Sequence, residues 1–405
     1  MKKGHLSEYF IDISVKQLTA VEADRHRSNQ HEFDGVTKLR AMLGTEDKRN
    51  IPTVFIYLND DDPEPLREEA FLSWYDSRKK HATRSEWRLY FPDTIVSDNA
   101  TEGDLLIIAQ RPNGTLTVIV AEGGSTIETQ LLWLFGATDV THPGYSVKGE
   151  LEADQVRLEF ASRYILEQIG VQVEDTDENY LEQMLARFGG GFPTTRDFSN
   201  YARETIGDFD LAGDPDAAVM ALMEREEILF RTLERHLIGD RLQGGFCEID
   251  DFLKFSLSVQ NRRKSRAGSA LENHLEHLFD LLGIKSDRTP VTEGKAKPDF
   301  LFPGVDAYRN LAFPAELLTM LGAKSTCKDR WRQVLVEADR IYEKHLLTLE
   351  PSISGNQTDE MRERKVQLVL PSVLHKTYTA AQRDWIISVG DMIDLVLERQ
   401  ARADV

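Results

Sequence analysis

"GAKSTCKDRWR", residues 322–332, follows the apolar run FPAELLTML and sets Lys324, Lys328, Arg330 and Arg332 around one acid, Asp329. A lysine at the end of a strand-like segment, then a Lys-Asp-Arg triplet opening a helix, gives a fixed cation with three charged side chains just beyond it. The surrounding segments give this stretch a fold. SALENHLEHLFDLLG (269–283) has the spacing of an amphipathic helix ended by Gly283. KPDFLFPG (297–304) reads as a short strand with a turn, and LAFPAELLTMLGAKST as another strand. DRWRQVLVEADRIYEKHLL (329–347) has helical spacing, and VQLVLPSVL (366–374) is an apolar strand. Helix, strand, strand, helix, strand is a mixed α/β core.

At 405 residues the chain is long enough for two domains, and 41% hydrophobic content fills their cores. No apolar run approaches the eighteen or so residues that span a bilayer. MKKGHLSEYF has no apolar stretch behind its lysines, so no signal peptide is expected. Cys247 and Cys327 lack CxxC spacing, which argues against a disulfide framework and a cysteine-rich zinc site and fits a cytoplasmic protein. A net charge of −19 argues at first against nucleic acid. Residues 251–350, however, hold 16 Lys and Arg against 14 Asp and Glu, so the acidic excess is lifted there. NRRKSRAG (261–268) is the densest cationic cluster of the chain, and its plain reading is a solvated helix start.

Residues 50–145 read as β-rich. IPTVFIYL, DLLIIA and LTVIVAE are short apolar or alternating runs, and RPNGT between the last two is a hairpin turn at Asn113-Gly114. The basic, aromatic SWYDSRKKHATRSEWRLYF (73–91) lies between the first two runs. VRLEFASRYILEQI, ENYLEQMLARF and DAAVMALMEREEILFRTLERHLI have helical spacing. FGGGFPTT (188–195) cannot continue a helix and is the expected boundary between an N-terminal domain, 1–185, and a C-terminal domain, 190–405.

Cleaving a phosphodiester with metal assistance needs carboxylates to hold a hard cation, and a lysine beside the water or phosphate. Pro298-Asp299 on one strand and Lys324 on the next supply such a pair, in the manner of the PD-(D/E)xK nuclease pattern. The second acid belongs two residues before the lysine, where Gly322 stands. Glu337, thirteen residues beyond Lys324, is a candidate replacement; its plain alternative is a helix-surface acid paired with Arg340. Glu316 is a rival. HLEH (274–277) has the look of a zinc pair but reads better as part of a structural helix.

Four strings carry a resemblance. NRRKSRAGSALENHLEHLF, TEGKAKPDFLFPG, LGAKSTCKDRWRQVLVEADRIYEKHL and VQLVLPSVLHKTY closely resemble, in this order, the catalytic domain of the EcoRII family of restriction endonucleases. The likeness covers about 250–380 and extends weakly back to about 190. It implies a PD-(D/E)xK restriction-endonuclease-like core with a displaced acid, in which Asp299 and Glu337 hold Mg2+, Lys324 is the catalytic amine and Glu272 a further acid. It also implies that Lys328, Asp329 and Arg330 read CC and GG pairs in the major groove. Lys and Arg donate to guanine O6 and N7, and Asp accepts from the cytosine amino group. Arg262, Arg263 and Lys264 are further candidates for DNA contact.

SWYDSRKKHATRSEWRLYF, GDLLIIA and STIETQLLWLFG are similar in outline to that family's N-terminal effector domain. This implies a β-rich, B3-like pseudobarrel that binds DNA, with Arg84 and Glu86 at contact positions. Ala82 stands where a lysine is expected, and the first fifty residues do not match. The resemblance implies a homodimer that cuts double-stranded DNA at a short palindrome, CCWGG- or CCNGG-like, under effector-site control, with a cognate cytosine methyltransferase and no membrane partner. A modification-dependent endonuclease and a non-catalytic DNA-binding regulator are the alternatives; Asp299, Lys324 and Glu337 together speak against the second.

Overall fold

The computed structural model describes residues 6–23, 32–33, 39–62, 64–80, 84–137, 146–148, 160–171, 177–207 and 209–403. Two compact units emerge, one of Met1–Val173 with Ser352–Asn356, the other of Glu174–Pro351 with Gln357–Val405.

In the first unit the described strands form one sheet: β1 (Asp12–Gln17), β2 (Glu32–Phe33), β3 (Lys48–Leu58), β4 (Leu66–Asp76), β5 (Trp87–Tyr90), β6 (Leu105–Gln110), β7 (Leu116–Ala121) and β8 (Ser146–Lys148). Their order is β2-β5-β4-β3-β7-β6-β1-β8, with β3 parallel to β7 and the other neighbours antiparallel. The expected hairpin turn joins β6 to β7: Arg111 N donates to Thr115 O, and Gly114 takes φ +82°. Successive side chains of a strand face opposite sides. Leu105, Ile107, Ile119 and Ala121 thus enter one core with helix α1 (Thr126–Leu134), while Leu106, Ile108, Val118 and Val120 enter another with Trp74, Trp87 and Leu89. Being buried on both faces, β6 and β7 read as continuous apolar runs.

The second unit begins with helices α2 (Leu181–Phe188), α3 (Thr195–Thr205), α4 (Pro215–Gly244) and α5 (Ile249–Leu281). FGGGFPTT does not part the units; it lies inside this one. Gly189, at φ +72°, ends α2, and the flanking aromatics return to one core, Phe188 against Tyr201 at 5.4 Å and Phe192 against Phe230 at 5.7 Å. NRRKSRAG falls in the middle of α5, whose start at Ile249 is marked instead by Asp250 and Asp251 in the first turn. The expected end of α5 holds, with Gly283 at φ +70° just beyond it.

Past α5 run β9 (Asp287–Arg288), β10 (Phe300–Phe302), β11 (Thr319–Lys324), β12 (Lys344–Thr348) and β13 (Val366–Val369), in sheet order β13-β12-β11-β10-β9. β11, β12 and β13 are parallel, and β10 is antiparallel to β9 and β11. Phe279 of α5 packs edge-on against Phe300 and Phe302, both at 5.2 Å. Helix α6 (Val389–Arg402) closes the unit, and buried Asp216 at the start of α4 accepts the amides of Val389 and Gly390, both at 3.0 Å.

One element differs from its sequence reading. DRWRQVLVEADRIYEKHLL is not a helix but a 3-10 segment, Lys328–Val336, followed by turns and β12. Residues three apart eclipse one another in a 3-10 turn, so Trp331 and Val334 both point inward. All five residues of β12 are buried between two parallel neighbours, an environment that overrides helical spacing. Among the described residues no helix is long and apolar enough to cross a membrane. Leu346→Ala, in this interior strand, should cost about 2–5 kcal/mol of stability, while Leu311→Ala, an exposed change, should stay within about 0.5 kcal/mol. Urea unfolding of both variants checks this, and equal midpoints would contradict the buried, interior placement of β12.

Candidate active site

Asp299 stands just before β10, and Lys324 ends its neighbour β11. Oδ2 of Asp299 accepts from the Lys324 ammonium at 2.6 Å and from the Ala323 amide at 2.7 Å. The carboxylate is 7% exposed and the lysine more open, so the pair is fixed by the sheet and turned toward solvent at one end.

Glu337 ends the 3-10 segment, its amide donating to Val334 O. It is 9% exposed, and its Oε2 is buried with no hydrogen-bond partner. Burial first, then the charge of Asp299, pushes its carboxyl up to about 7, against the opposing pull of Lys324 and Lys344. The chain turns sharply here, with Ala338 at φ +50°. Buried Lys344 holds the turn by donating to the backbone carbonyls of Glu337 and Ala338, the latter at 2.5 Å.

Gly322 explains why the second acid is missing from its usual place. A Cβ there would meet Val334 Cγ2 at 2.8 Å and Leu346 Cδ1 at 3.5 Å. The 3-10 segment packs directly on β11 at this point, and no larger residue fits without displacing it. Glu337 follows Val334 by three residues, so the close approach that excludes an acid at 322 also carries another acid to the site.

Glu272 lies on α5, where Arg288 of β9 binds its Oε2 through Nη2 at 2.8 Å and Nε at 3.2 Å. Arg288 also reaches Asn273 at 2.7 Å and Glu276 at 3.0 Å. Burial raises the Glu272 carboxyl, Arg288 opposes this, and Asp299 is near enough for its charge to raise it further. Asp299 and Lys324 are therefore within electrostatic reach of both Glu337 and Glu272. Glu316 is exposed on a turn before β11. Among the described residues no group of three or more His, Cys, Asp and Glu forms a metal cage. His274 of HLEH is fully buried with Nε2 2.9 Å from Glu226, and burial lowers its basicity.

Lys328 and Asp329 open the 3-10 segment, but their side chains lie outside the described residues. Arg330 beside them is exposed. Arg262 covers the Phe192 ring at 4.2 Å, and Arg263 binds Glu234 of α4 at 2.6 Å. Lys264 is exposed. In the first unit Arg84 is exposed, Glu86 is paired with Arg78 and, at 2.9 Å, with Arg88, and Ala82 lies outside the described residues. Sequence reasoning missed Arg288 and Lys344. Arg288 sits in IKSDRTP, which has no apolar pattern to draw attention to it, and Lys344 was hidden in the expected helix.

Residues 230–393 match the family model described as EcoRII C terminal. The Type II restriction enzyme EcoRII of Escherichia coli is 35% identical over 350 residues, 84% of this chain and 82% of that one. The chain belongs to the EcoRII family of Type II restriction endonucleases. The Type II restriction enzyme SsoII of Shigella sonnei is 29% identical over 154 residues, 35% of this chain and 49% of that one. Among solved structures, a complex of the restriction endonuclease PspGI with substrate DNA aligns over 52% of this chain and 94% of that one, at 16% identity and a TM-score of 0.43.

Two outcomes are expected of this EcoRII-family site. Glu337 is a carboxyl whose folded pKa, about 7, lies above its unfolded value. The folded state then holds more protons than the unfolded one between those values, so metal-free stability should fall as pH rises from about 4.5 to 7. Glu337→Gln should lose less over the same window, and identical pH slopes in chemical unfolding would contradict the raised carboxyl. Gly322→Ala should cost about 1–3 kcal/mol by overpacking and slow cleavage by shifting Glu337. Adding Val334→Ala should restore part of both, and a single variant with wild-type stability would contradict the close approach.

Proposed function

We propose that this enzyme makes Mg2+-dependent double-strand cuts at a short palindrome with CC and GG arms, CCWGG- or CCNGG-like. The observation that carries the chemistry is the fixed Asp299–Lys324 pair with Glu337 unpartnered beside it. Two carboxylates with a buried, unsatisfied oxygen fit a hard cation, because Mg2+ takes one or two protein carboxylates and fills its remaining positions with water and phosphate. Asp299 and Glu337 would hold it. When bound, the ion supplies Lewis-acid stabilisation of the charge on the scissile phosphate. Lys324, steered by Asp299, presents its ammonium to a phosphate oxygen or to the attacking water. Glu272, oriented by Arg288, is a further acid beside the pair.

Lys328, Asp329 and Arg330 read the arms, their segment beginning four residues after Lys324 on the same chain. Two-fold DNA is matched by a homodimer, one catalytic centre per strand. The exposed apolar side chains of Leu242, Ile249, Phe252, Leu253 and Leu257 where α4 turns into α5, with Ile249 78% exposed, support a surface that a second copy covers. The first unit serves as a B3-like effector domain that binds DNA. Its mixed sheet and the exposed cations Lys80 and Arg84 between β4 and β5 support that reading. A cytosine methyltransferase of matching specificity belongs to such a system.

The test is incubation with plasmid, methylated or unmethylated, with Mg2+ or with EDTA, followed by sequencing of the ends. Cutting of unmethylated plasmid alone at CC/GG palindromes is expected; cutting of methylated plasmid alone would make the enzyme modification-dependent. Asp299→Ala and Lys324→Ala should each lower cleavage about 100-fold or more while leaving DNA binding largely intact. Wild-type rates in either variant would overturn the assignment of the site.

A further inference from the structure

The turn that delivers Lys328, Asp329 and Arg330 is pinned from below by a group that sequence gave no reason to notice. β11 and β12 run parallel, with Lys324 opposite Thr348. The carboxylate of Glu350, two residues beyond the end of β12, accepts the backbone amide of Cys327, three residues beyond the end of β11. Cys327 is the residue before the 3-10 segment and has no side-chain cap of its own. The first amides of a helical segment lack partners within it, so this bond satisfies a donor that burial would otherwise leave unmet. Glu350 is 4% exposed. Its backbone is held in turn: its amide donates to Thr348 Oγ1 at 3.3 Å, and its carbonyl accepts from the Tyr378 hydroxyl at 2.6 Å. The Cys327 thiol is fully buried, raised by burial and then by the Glu350 charge. Arg330 N donates to Cys327 O at 2.8 Å, and Trp331 is fully buried. Cys327 and Trp331 thus clamp the backbone on both sides of an exposed Arg330.

We propose that Glu350 is a positioning residue for specificity: by fixing the Cys327 amide it sets the register of the Lys328-Asp329-Arg330 segment against the strand end that carries Lys324. The inference rests on the reading of that triplet as the base reader. Paired hydrogen bonds to a base edge tolerate only small displacements. A segment freed at its first residue keeps its charges and its attraction to DNA, but loses its alignment. The signature is therefore lost discrimination with non-specific affinity retained.

The measurement is competitive binding by the full chain, in Ca2+ to prevent cutting, of a duplex with CC/GG arms against one with a single arm base changed. Glu350→Gln keeps an oxygen acceptor at the same reach and should discriminate as the wild type does. Glu350→Ala should lose about tenfold or more in discrimination, with binding to the altered duplex unchanged. Glu350→Asp keeps the charge but draws the acceptor back by one methylene. It should lose part of the discrimination, and it carries the test if the alanine variant does not fold. Wild-type discrimination in the alanine or aspartate variant overturns the proposal, and so does an equal loss of affinity for both duplexes. Arg330→Ala, measured alongside, separates two failures. If it leaves discrimination intact, the triplet is not the reader. If it loses discrimination while the Glu350 variants keep theirs, only the role of Glu350 falls.

Discussion

The absence of a side chain at Gly322 is the constraint on which the sheet of the second unit and its 3-10 segment depend. A Cβ at that position would come within 2.8 Å of Val334, so a glycine on β11 allows the 3-10 segment to lie directly on the sheet. With Val334 seated, Trp331 three residues before it is fully buried, and Glu337 three residues after it arrives beside Asp299 and Lys324. One contact therefore sets the depth of the segment and the position of an acid. Nuclease patterns that carry the acid on the strand itself need no such segment. Here Glu337 is brought beside Asp299 by the return path of the chain, and Lys344, the first residue of β12, holds that path by its carbonyls.

The electrostatics follow from this packing. A lysine 2.6 Å from a mostly buried aspartate is satisfied, and the Ala323 amide binds the same oxygen, so the pair is held in one geometry. Glu337 has no such relief: it is buried, it faces the charge of Asp299, and one of its oxygens has no partner. A fold selected only for stability would not place two acids this way, because a buried charge without a partner is costly. Repulsion between two carboxylates is what a divalent cation between them would remove. Arg288 treats Glu272 differently, opposing its burial with a guanidinium shared among three side chains of α5.

What the sequence could reveal depended on whether local pattern and tertiary environment agreed. They agree in β6 and β7, where apolar runs flank an Asn-Gly turn, and at Gly283, where a helix ends on a left-handed residue. They disagree at 329–347. Trp331, Val334, Ala338 and Ile341 are all buried, and their spacing suits a helix as well as it suits a 3-10 segment and a turn. Only the parallel partners on either side make KHLLT a strand, and those lie far away in sequence. FGGGFPTT misled for a related reason: its glycines stop a helix, but the phenylalanines beside them return to the same core. The pairing of Asp299 with Lys324 was legible from strand order. The bonds made by Glu350, Arg288 and Lys344 were not, because a lone charged residue in a loop or at a strand end carries no periodic signal.

Counting basic residues alone would rank NRRKSRAG above the triplet as a DNA surface, but what matters is whether each charge is already engaged. Arg263 spends its guanidinium on Glu234, and Arg262 lies over the Phe192 ring. To contact phosphate, each would first have to give up an interaction within the helical core, which offsets much of the gain. Glu86 in the first unit is likewise engaged, by Arg78 and Arg88. Arg330 and Arg84 are exposed and make no ion pair with the described residues. An exposed guanidinium on a mobile loop would serve only as a phosphate contact, since aligning to a base edge requires a fixed backbone. Arg330 combines exposure with a backbone clamped at Cys327 and Trp331. That combination, more than the density of positive charge, is what the proposed base-reading role of Arg330 requires.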